Sequence, residues 1–220
     1  MLSVTRYRDR SEAGRKLARL LRQRGADRSV LILALPRGGA IVGLEIARAL
    51  AAPLDVFIVR KLGMPGHEEF ALGAIATGGV RLLDDELIAE EQIPRKTIAS
   101  ITARETAELH RREALYRHDR RPLSFSGRHV VLVDDGIATG YTMRSAIAAL
   151  AKLCPASIAA AVPVGSVDAC EKIAHTVREL VCPFRPDPFH AVGLWYEHFP
   201  QVTDEEVAAA LAEAGNWSTA

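Results

Sequence analysis

Two adjacent carboxylates, Asp134 and Asp135, follow an apolar run and precede a short loop of small residues, 136–142. A loop that opens a helix presents backbone N–H groups to an anion, and small side chains leave those groups accessible to a phosphate. Thr139 and Thr142 can add hydroxyl donors. Carboxylates repel phosphate, but they accept hydrogen bonds from hydroxyl groups or bind a hydrated divalent cation. The segment therefore predicts a ligand with a phosphate beside vicinal hydroxyls, such as a ribose 5-phosphate.

Three other interpretations of this segment are weaker. A Walker phosphate loop needs a lysine after its last glycine, and no lysine follows Gly140. A response-regulator receiver carries its paired acids near the start of its fold, whereas Asp134 lies past the middle of the chain. An isolated Asp-Asp pair often only caps a turn, but the neighbouring T-G-x-T sequence, residues 139–142, argues against that.

A second short loop, PRGG at residues 36–39, follows the continuous apolar run 29–35. Such runs are typical of strands in a parallel sheet that is covered on both faces. A dinucleotide-binding loop is disfavoured because Ala40 breaks the G-x-G-x-x-G pattern, and Asp55 begins the next strand instead of ending it. Ligands of open α/β sheets bind at the carboxyl ends of the strands, so we expect both loops at one edge of the sheet.

The elements that must position these loops alternate between strands and helices. The predicted strands are 29–35, 54–59, 130–133, 156–164 and 178–182. The predicted helices are 9–25, 40–51, 95–121, 142–153, 166–176 and one that opens at Thr203. This alternation predicts an α/β fold with a mostly parallel central sheet flanked by helices on both faces.

Some stretches give a less regular pattern. The glycine-rich segment 62–80, which carries His67, predicts a mobile loop that leads into a short strand or hairpin. Arg60 and Lys61 are expected to end the second strand, at the same sheet edge as the two loops. Residues 189–196 predict a last extended segment.

Composition is that of an ordinary globular protein. Hydrophobic residues make up 49% of the 220 residues, and the formal net charge of +1 gives no global reason to bind nucleic acid or an acidic membrane surface. The N-terminal sequence lacks the apolar stretch of a signal peptide, and no apolar run reaches the ~20 residues of a membrane span. The 3 cysteines show no metal-binding spacing. We expect a cytoplasmic protein with reduced thiols and no membrane partner.

The stretch VVLVDDGIATGYT (130–142) resembles the phosphoribosyl-diphosphate signature of type I phosphoribosyltransferases. The upstream PRGG resembles the diphosphate-binding loop of the same family. The layout from about residue 10 to 205 resembles a bacterial group of predicted phosphoribosyltransferases whose acceptor is unassigned. The resemblance implies a single domain over 1–220 with the type I phosphoribosyltransferase fold. It also implies a small hood, contributed mainly by about 183–205 and called the hood segment below.

For the sugar phosphate, the resemblance implies that the small-residue loop binds the 5-phosphate. The implied contacts are Gly136, Ala138, Thr139, Gly140, Tyr141 and Thr142. Asp134 and Asp135 would act in catalysis by holding the ribose hydroxyls. The implied cofactor is Mg²⁺, which these two acids would hold only indirectly, through the ribose hydroxyls or water.

For the diphosphate, the resemblance implies that Pro36, Gly38 and Gly39 grip the leaving group, often through a cis peptide, which here would be Pro36–Arg37. Arg37 would add charge-assisted donors to the leaving group. Lys61 would be a further catalytic contact. The glycine-rich segment 62–80 would be the loop that closes over the substrate.

For the acceptor, PFHAVGLWYEHF resembles the hood of purine-type members, where an aromatic ring stacks on the base and an acid reads its edge. Phe189 matches the stacking ring, Trp195 and Tyr196 are alternatives, and Glu197 falls near the acid. Aromatic side chains that pack the last strand onto the core are an equally good interpretation.

The expected function is Mg²⁺-dependent transfer of the 5-phosphoribosyl group from phosphoribosyl diphosphate to a small nitrogenous acceptor, with a purine-like base as one candidate. The alternative is a regulatory protein that binds phosphoribosyl diphosphate without turning it over. The resemblance also implies a homo-oligomer, commonly a dimer. Nucleic acid is not expected as a partner, because glutamates interleave the arginines of the predicted helix 95–121. Those arginines are Arg111, Arg112, Arg117, Arg120 and Arg121.

Overall fold

A five-stranded parallel sheet forms the centre of the protein, whose computed structural model describes residues 6–117 and 124–215. Its strands are β1 (Leu31–Ala34), β2 (Leu54–Val56), β6 (His129–Val133), β7 (Ser157–Ala161) and β8 (Glu179–Val181). They lie in the order β2-β1-β6-β7-β8, and each neighbouring pair is parallel. The predicted α/β class and parallel sheet are confirmed.

Seven helices accompany the strands within the described residues. They are α1 (Arg10–Gln23), α2 (Gly38–Leu50), α3 (Asp85–Glu90), α4 (Arg95–Arg117), α5 (Tyr141–Ala151), α6 (Val167–Ala174) and α7 (Asp204–Gly215). Alternate residues of one strand face opposite sides, so Ile32 packs with α1 and α2 while Leu33 packs with α5 and α6. Two apolar layers therefore cover the two faces of the sheet.

Side chains cap the N-terminal turns of α1 and α7. The Asp9 carboxylate accepts a hydrogen bond from the Glu12 N–H at the start of α1. At the start of α7, Thr203 Oγ1 accepts from the Glu206 N–H, and the Glu206 carboxylate accepts from the Thr203 N–H. These pairs satisfy N–H groups that the first helical turn leaves without partners.

The prediction for residues 54–80 is wrong in two respects. The second strand of the parallel sheet ends at Val56, because the chain turns away and the buried Ile58 pairs with Thr77. The strand or hairpin expected within the glycine-rich segment is present, but the mobile loop expected ahead of it is itself strand, and the segment belongs to a three-stranded antiparallel sheet. Its strands are β3 (Val59–Met64), β4 (His67–Ala76) and β5 (Val80–Leu83). Arg60 and Lys61 thus lie inside β3, opposite Ile75 and Ala74.

The predicted extended segment 189–196 is also wrong, because Val192–Trp195 forms a 3-10 helix. Residues on both sides of this turn bond to the N-terminal segment: Tyr7 N–H donates to the Trp195 carbonyl, and Glu197 N–H donates to the Tyr7 carbonyl. The end of the predicted helix 95–121, including Arg120 and Arg121, falls outside the described residues. Of the helices described, none combines the length and apolar character needed to cross a bilayer.

Candidate functional site

The PRGG loop and the acidic segment touch at the carboxyl edge of β1 and β6. A Cβ atom added to Gly38 would overlap the Asp135 carboxylate, and one added to Gly39 would lie 2.7 Å from the Val133 carbonyl oxygen. Both positions require glycine because the two loops leave no room for a side chain. The expectation that the loops share one edge is confirmed, and the Pro36–Arg37 bond is cis, as the resemblance implied.

Backbone hydrogen bonds hold the small-residue loop in place. The Ile137 N–H donates to the Val164 carbonyl at 2.9 Å, and the Ser166 N–H returns a 2.9 Å bond to the Ile137 carbonyl. The Ser166 hydroxyl donates to the Ala138 carbonyl at 2.7 Å. These three contacts use the Ile137 N–H and two loop carbonyls, and they brace the loop against residues 164–166.

The loop enters α5 through Gly140, whose φ of +74° is a left-handed conformation that glycine adopts readily. The first turn of α5 follows, and such turns carry N–H groups without intrahelical partners. Thr139 and Thr142 are exposed beside it. The Tyr141 hydroxyl instead donates to the Gly73 carbonyl in β4 at 3.0 Å, so its side chain ties the loop to the antiparallel sheet.

The two acids have different surroundings. Asp134 Oδ1 accepts from the Asp135 N–H at 2.8 Å, whereas Asp135 Oδ2 accepts from Arg10 Nε, also at 2.8 Å. Burial and the adjacent Asp135 raise the pKa of Asp134 well above its usual value. Burial also raises the pKa of Asp135, while the Arg10 guanidinium opposes that shift. The pair is thus asymmetric, because the Arg10 guanidinium compensates the charge of the Asp135 carboxylate, whereas Asp134 accepts a hydrogen bond from a backbone N–H.

Sequence reasoning missed Arg10. Its side chain is 9% exposed, its Nη1 donates to the Pro200 carbonyl at 2.8 Å, and its guanidinium carbon lies 3.6 Å from the centroid of the Phe199 ring. The available signal was its position on the buried stripe of α1, three residues before Ala13 and seven before Leu17. A charged residue on an apolar stripe needs a buried partner.

The hood segment packs over the acidic segment. A Cβ on Gly136 would lie 2.5 Å from a Val192 methyl group, so the 3-10 helix rests directly on that glycine. The rings of Phe189 and Trp195 are stacked with centroids 6.3 Å apart, and both are half-buried. Glu197 is exposed. The roles of Phe189, Trp195 and Glu197 as acceptor contacts stay predictions.

Tyr196 is not available to stack on a base. It is 4% exposed, and its hydroxyl donates to the Asp135 carbonyl at 2.5 Å. Burial, followed by the charge of Asp135, raises the pKa of this phenol. The prediction of Tyr196 as an alternative stacking residue is therefore wrong, because its ring is buried and its hydroxyl binds the backbone of Asp135.

Arg37 points toward the start of α7. Its Nη1 lies 3.7 Å from Asp204 Oδ1, which also accepts a 2.6 Å hydrogen bond from the Tyr116 hydroxyl. That hydrogen bond and the nearby Arg112 and Arg37 hold the pKa of Asp204 below its usual value. Arg37 is therefore held by an acid that stays ionised at neutral pH.

A cavity of about 900 Å³ separates β3 from α4. Lys61 and Thr142 both line it, so the predicted diphosphate contact and the end of the small-residue loop face one space. Arg60, also on the lining, donates from Nε to Glu105 at 2.9 Å. Glu105 is 8% exposed, and its charge compensates that of Arg60.

The acidic pair is compatible with the indirect role toward a metal that the resemblance implied. Within residues 6–117 and 124–215, no group of three or more His, Cys, Asp or Glu side chains could hold an ion. Mg²⁺ prefers several oxygen ligands in octahedral geometry and keeps its waters. Asp134 and Asp135 could contribute through water or through ligand hydroxyls, as the resemblance implied.

Comparison with known proteins relates the chain to one family. Residues 3–191 match the family described as phosphoribosyl transferase domain. A Mycobacterium tuberculosis protein named "Putative phosphoribosyl transferase", in strains CDC 1551 and H37Rv, is 40% identical over 208 residues, or 94% of this chain and 47% of that protein. The chain thus spans about half the length of these curated relatives. The crystal structure of TT1426 from Thermus thermophilus is 41% identical with a TM-score of 0.84, covering 94% of this chain and 98% of that one.

Proposed function

Because the chain belongs to the phosphoribosyl transferase family, we propose that it transfers the 5-phosphoribosyl group from phosphoribosyl diphosphate to a small nitrogenous acceptor and releases diphosphate. The observation that carries this proposal is the contact of Gly38 with Asp135. It sets a loop suited to a diphosphate, a pair of acids suited to hydroxyl groups and a loop suited to a phosphate side by side.

The donor's sugar phosphate would lie across the acidic segment. Its 5-phosphate would accept hydrogen bonds from the N–H groups at the start of α5 and from the hydroxyls of Thr139 and Thr142. Its ribose hydroxyls would donate to the acidic pair, Asp134 and Asp135. These are the only contacts in the proposal that recognise the sugar, so the acids set donor specificity.

The donor's diphosphate would lie against residues 36–39 and the first turn of α2. The N–H groups there, Arg37 and Lys61 would stabilise the charge that develops on the departing group. Mg²⁺, when bound between the donor and the acidic pair through hydroxyls or water, would supply further charge neutralisation of the diphosphate.

The acceptor would enter from the hood segment, 183–205. Phe189 or Trp195 would stack on it, and Glu197 would bind its polar edge. The acceptor nitrogen would form a bond to C1 as the C1–diphosphate bond breaks, and no protein side chain would act as a nucleophile. The chain would act by positioning both reactants and by stabilising the leaving group.

Calorimetry with phosphoribosyl diphosphate and MgCl₂ tests the donor half of the proposal. Wild-type protein should bind, and the double variant Asp134→Asn, Asp135→Asn should lose roughly 100-fold or more in affinity, since two charged hydrogen-bond acceptors are removed. Asp168→Asn is the control, because Asp168 is an exposed acid on α6 that pairs with Lys172. Wild-type protein that fails to bind at millimolar donor would contradict the proposal.

A second candidate is a regulatory protein that binds the donor without turnover. Two ion pairs favour it: Arg37 pairs with Asp204, and Arg60 pairs with Glu105. Both arginines lie beside the proposed diphosphate site, and their charges are already compensated by these acids. Screening a panel of nitrogenous bases for diphosphate release separates the two functions. Release with any base supports the transferase, and donor binding without release supports the regulator. A homo-oligomer and a cytoplasmic location stay predictions.

A further inference from the structure

Arg10 joins three parts of the protein that are far apart in the sequence. It begins α1, binds the carboxylate of Asp135 at 2.8 Å, and binds the carbonyl of Pro200 at the same distance. Its flat face covers the Phe199 ring at 3.6 Å. With its side chain only 9% exposed, nearly all of its polar and apolar surface is used within the protein.

A short backbone ladder keeps Arg10 at this position. Tyr7 N–H and its carbonyl pair with Trp195 and Glu197, and the Arg8 carbonyl accepts from the His198 N–H at 2.9 Å. The Tyr7 hydroxyl also donates to the Pro163 carbonyl at 3.0 Å. The N-terminal residues 7–10 are therefore bonded to residues 195–200 of the hood segment.

Asp135 is consequently held from two sides. Arg10 binds its carboxylate from α1, and Tyr196 binds its carbonyl from the hood segment. Asp134, by contrast, is held through its own neighbour, the Asp135 N–H. Any displacement of Asp135 would move Asp134 with it.

We propose that Arg10 is a positioning residue that fixes Asp135 to the hood segment and leaves Asp134 as the carboxylate that receives the ribose hydroxyls. The proposal rests on the proposed function and refines it, because the family resemblance assigns both acids to the sugar. Asp135 serves as the link between the hood segment and the proposed donor site.

The guanidinium group suits this role in a way that an ammonium does not. Its planar fork places Nε and Nη1 toward two acceptors at once, while its face stacks on an aromatic ring. Lysine at this position would keep the charge but would reach only one of the three partners well. Arg10→Lys therefore tests whether the positive charge alone is enough or whether the planar guanidinium group is needed.

The test is a double-mutant cycle in donor affinity, measured by calorimetry with phosphoribosyl diphosphate and MgCl₂. Arg10→Ala should weaken binding roughly 10- to 100-fold, because a buried charged partner of Asp135 is removed. Adding Asp135→Asn to Arg10→Ala should cost less than about threefold more, whereas adding Asp134→Asn should cost its full effect again. Arg10→Lys should fold and still lose at least about fivefold.

Arg15→Ala is the matched control, since Arg15 lies on the same helix and pairs with the buried Glu45 away from the donor site. It should change donor affinity less than about twofold. Additive losses from Arg10→Ala and Asp135→Asn would overturn the proposal, because they would mean that Asp135 contacts the sugar directly. So would full donor affinity in Arg10→Lys.

A measurement without donor keeps this inference separate from the proposed function. In a Trp217→Phe background, acrylamide quenching reports on Trp195 in the hood segment. Arg10→Lys and Asp135→Asn should each increase quenching, and Arg15→Ala should not. Unchanged quenching in both would overturn the link between Asp135 and the hood segment. A third outcome is that the wild-type protein binds no donor while the two variants still show increased quenching. That result would refute the proposed function and the assignment of Asp134 to the ribose, and it would support the link between Asp135 and the hood segment.

Discussion

The donor side of the site and the hood side are built in opposite ways. On the donor side, contiguous residues bury charge: Asp134 and Asp135 lie side by side, and both have raised pKa values. On the hood side, Tyr196 packs against Tyr7, far away in the sequence, and Phe189 and Trp195 pack against the same apolar cluster. Buried charge destabilises a fold and buried aromatic surface stabilises it. Packing on the hood side therefore offsets the loss of folding stability that the buried acids cause on the donor side.

The largest expected effect comes from closing the space between the two donor loops. Gly38→Ala places a methyl group where the Asp135 carboxylate lies, so donor affinity should fall by more than roughly 100-fold through misplacement of both loops. Calorimetry measures the affinity and urea unfolding measures the accompanying loss of about 1–3 kcal/mol.

Gly127→Ala is the control for that change. Gly127 has a φ of +71° with open space around it, so the variant should lose about 1 kcal/mol of stability from backbone strain alone and keep its donor affinity. Equal donor affinity in both variants would contradict the contact between the loops.

The second prediction separates stability from function at one residue. Asp134→Asn should weaken donor binding roughly 10- to 100-fold by removing a charged acceptor. Because the pKa of Asp134 is raised in the folded protein, its carboxylate lowers stability as pH rises above about 4. The variant should therefore gain about 1 kcal/mol in free energy of unfolding at neutral pH.

Asp204→Asn should respond in the opposite direction. The pKa of Asp204 is lowered, so its carboxylate contributes stability at neutral pH that is lost as pH falls below about 4. Urea unfolding at several pH values measures both variants. A stability loss in Asp134→Asn equal to that in Asp204→Asn would contradict the assignment of Asp134 as a destabilising charge.

The third prediction concerns the hood side. Phe189→Ala should reduce diphosphate release with a productive acceptor by about tenfold, since one stacking contact is lost, and should leave donor affinity within about twofold. Phe184→Ala is the matched control, because Phe184 contacts the same Trp195 ring edge-on at 5.0 Å. Equal losses in both variants would mean that Phe189 acts by packing alone.

The smallest effect is expected at the join between the donor loop and the antiparallel sheet. Tyr141→Phe removes the hydrogen bond from the hydroxyl to the Gly73 carbonyl and should lower the free energy of unfolding by about 1 kcal/mol. Donor affinity should stay within about twofold, because the backbone N–H of residue 141 is unchanged. A larger loss would place the Tyr141 side chain in the donor site.

Sequence reasoning succeeded where the chemistry lies in consecutive residues. Residues 130–142 and the PRGG loop predicted the parallel strands and the shared sheet edge, because acids at a strand end followed by a small-residue loop and T-G-x-T have few other uses. The helix starts predicted at Asp9 and Thr203 likewise depend on side-chain caps between residues only three apart. Local patterns of this kind carry their own structural context.

It failed where structure depends on distant pairing. Five glycines in 62–80 suggested a loop, yet antiparallel partners satisfy the backbone there, and Gly73 has a φ of +157° that packs it closely against Leu82. The aromatic run 189–196 suggested a strand, yet no neighbouring strand pairs with Val192–Trp195 within the described residues. Arg10 was missed because its partners, Asp135 and Pro200, lie 125 and 190 residues away.

The reach of Arg10 also sets an order of events during synthesis. A ribosome releases β1, β2, β6 and the PRGG loop well before Pro200 leaves the exit tunnel, so this part of the sheet can form while Arg10 and Asp135 still lack their third partner. Contacts between residues this far apart close late, because they require the intervening chain to be ordered first. Until then, the nascent protein holds a partly formed sheet around an incomplete site, and the proposed sugar-binding surface is completed only as the hood segment emerges.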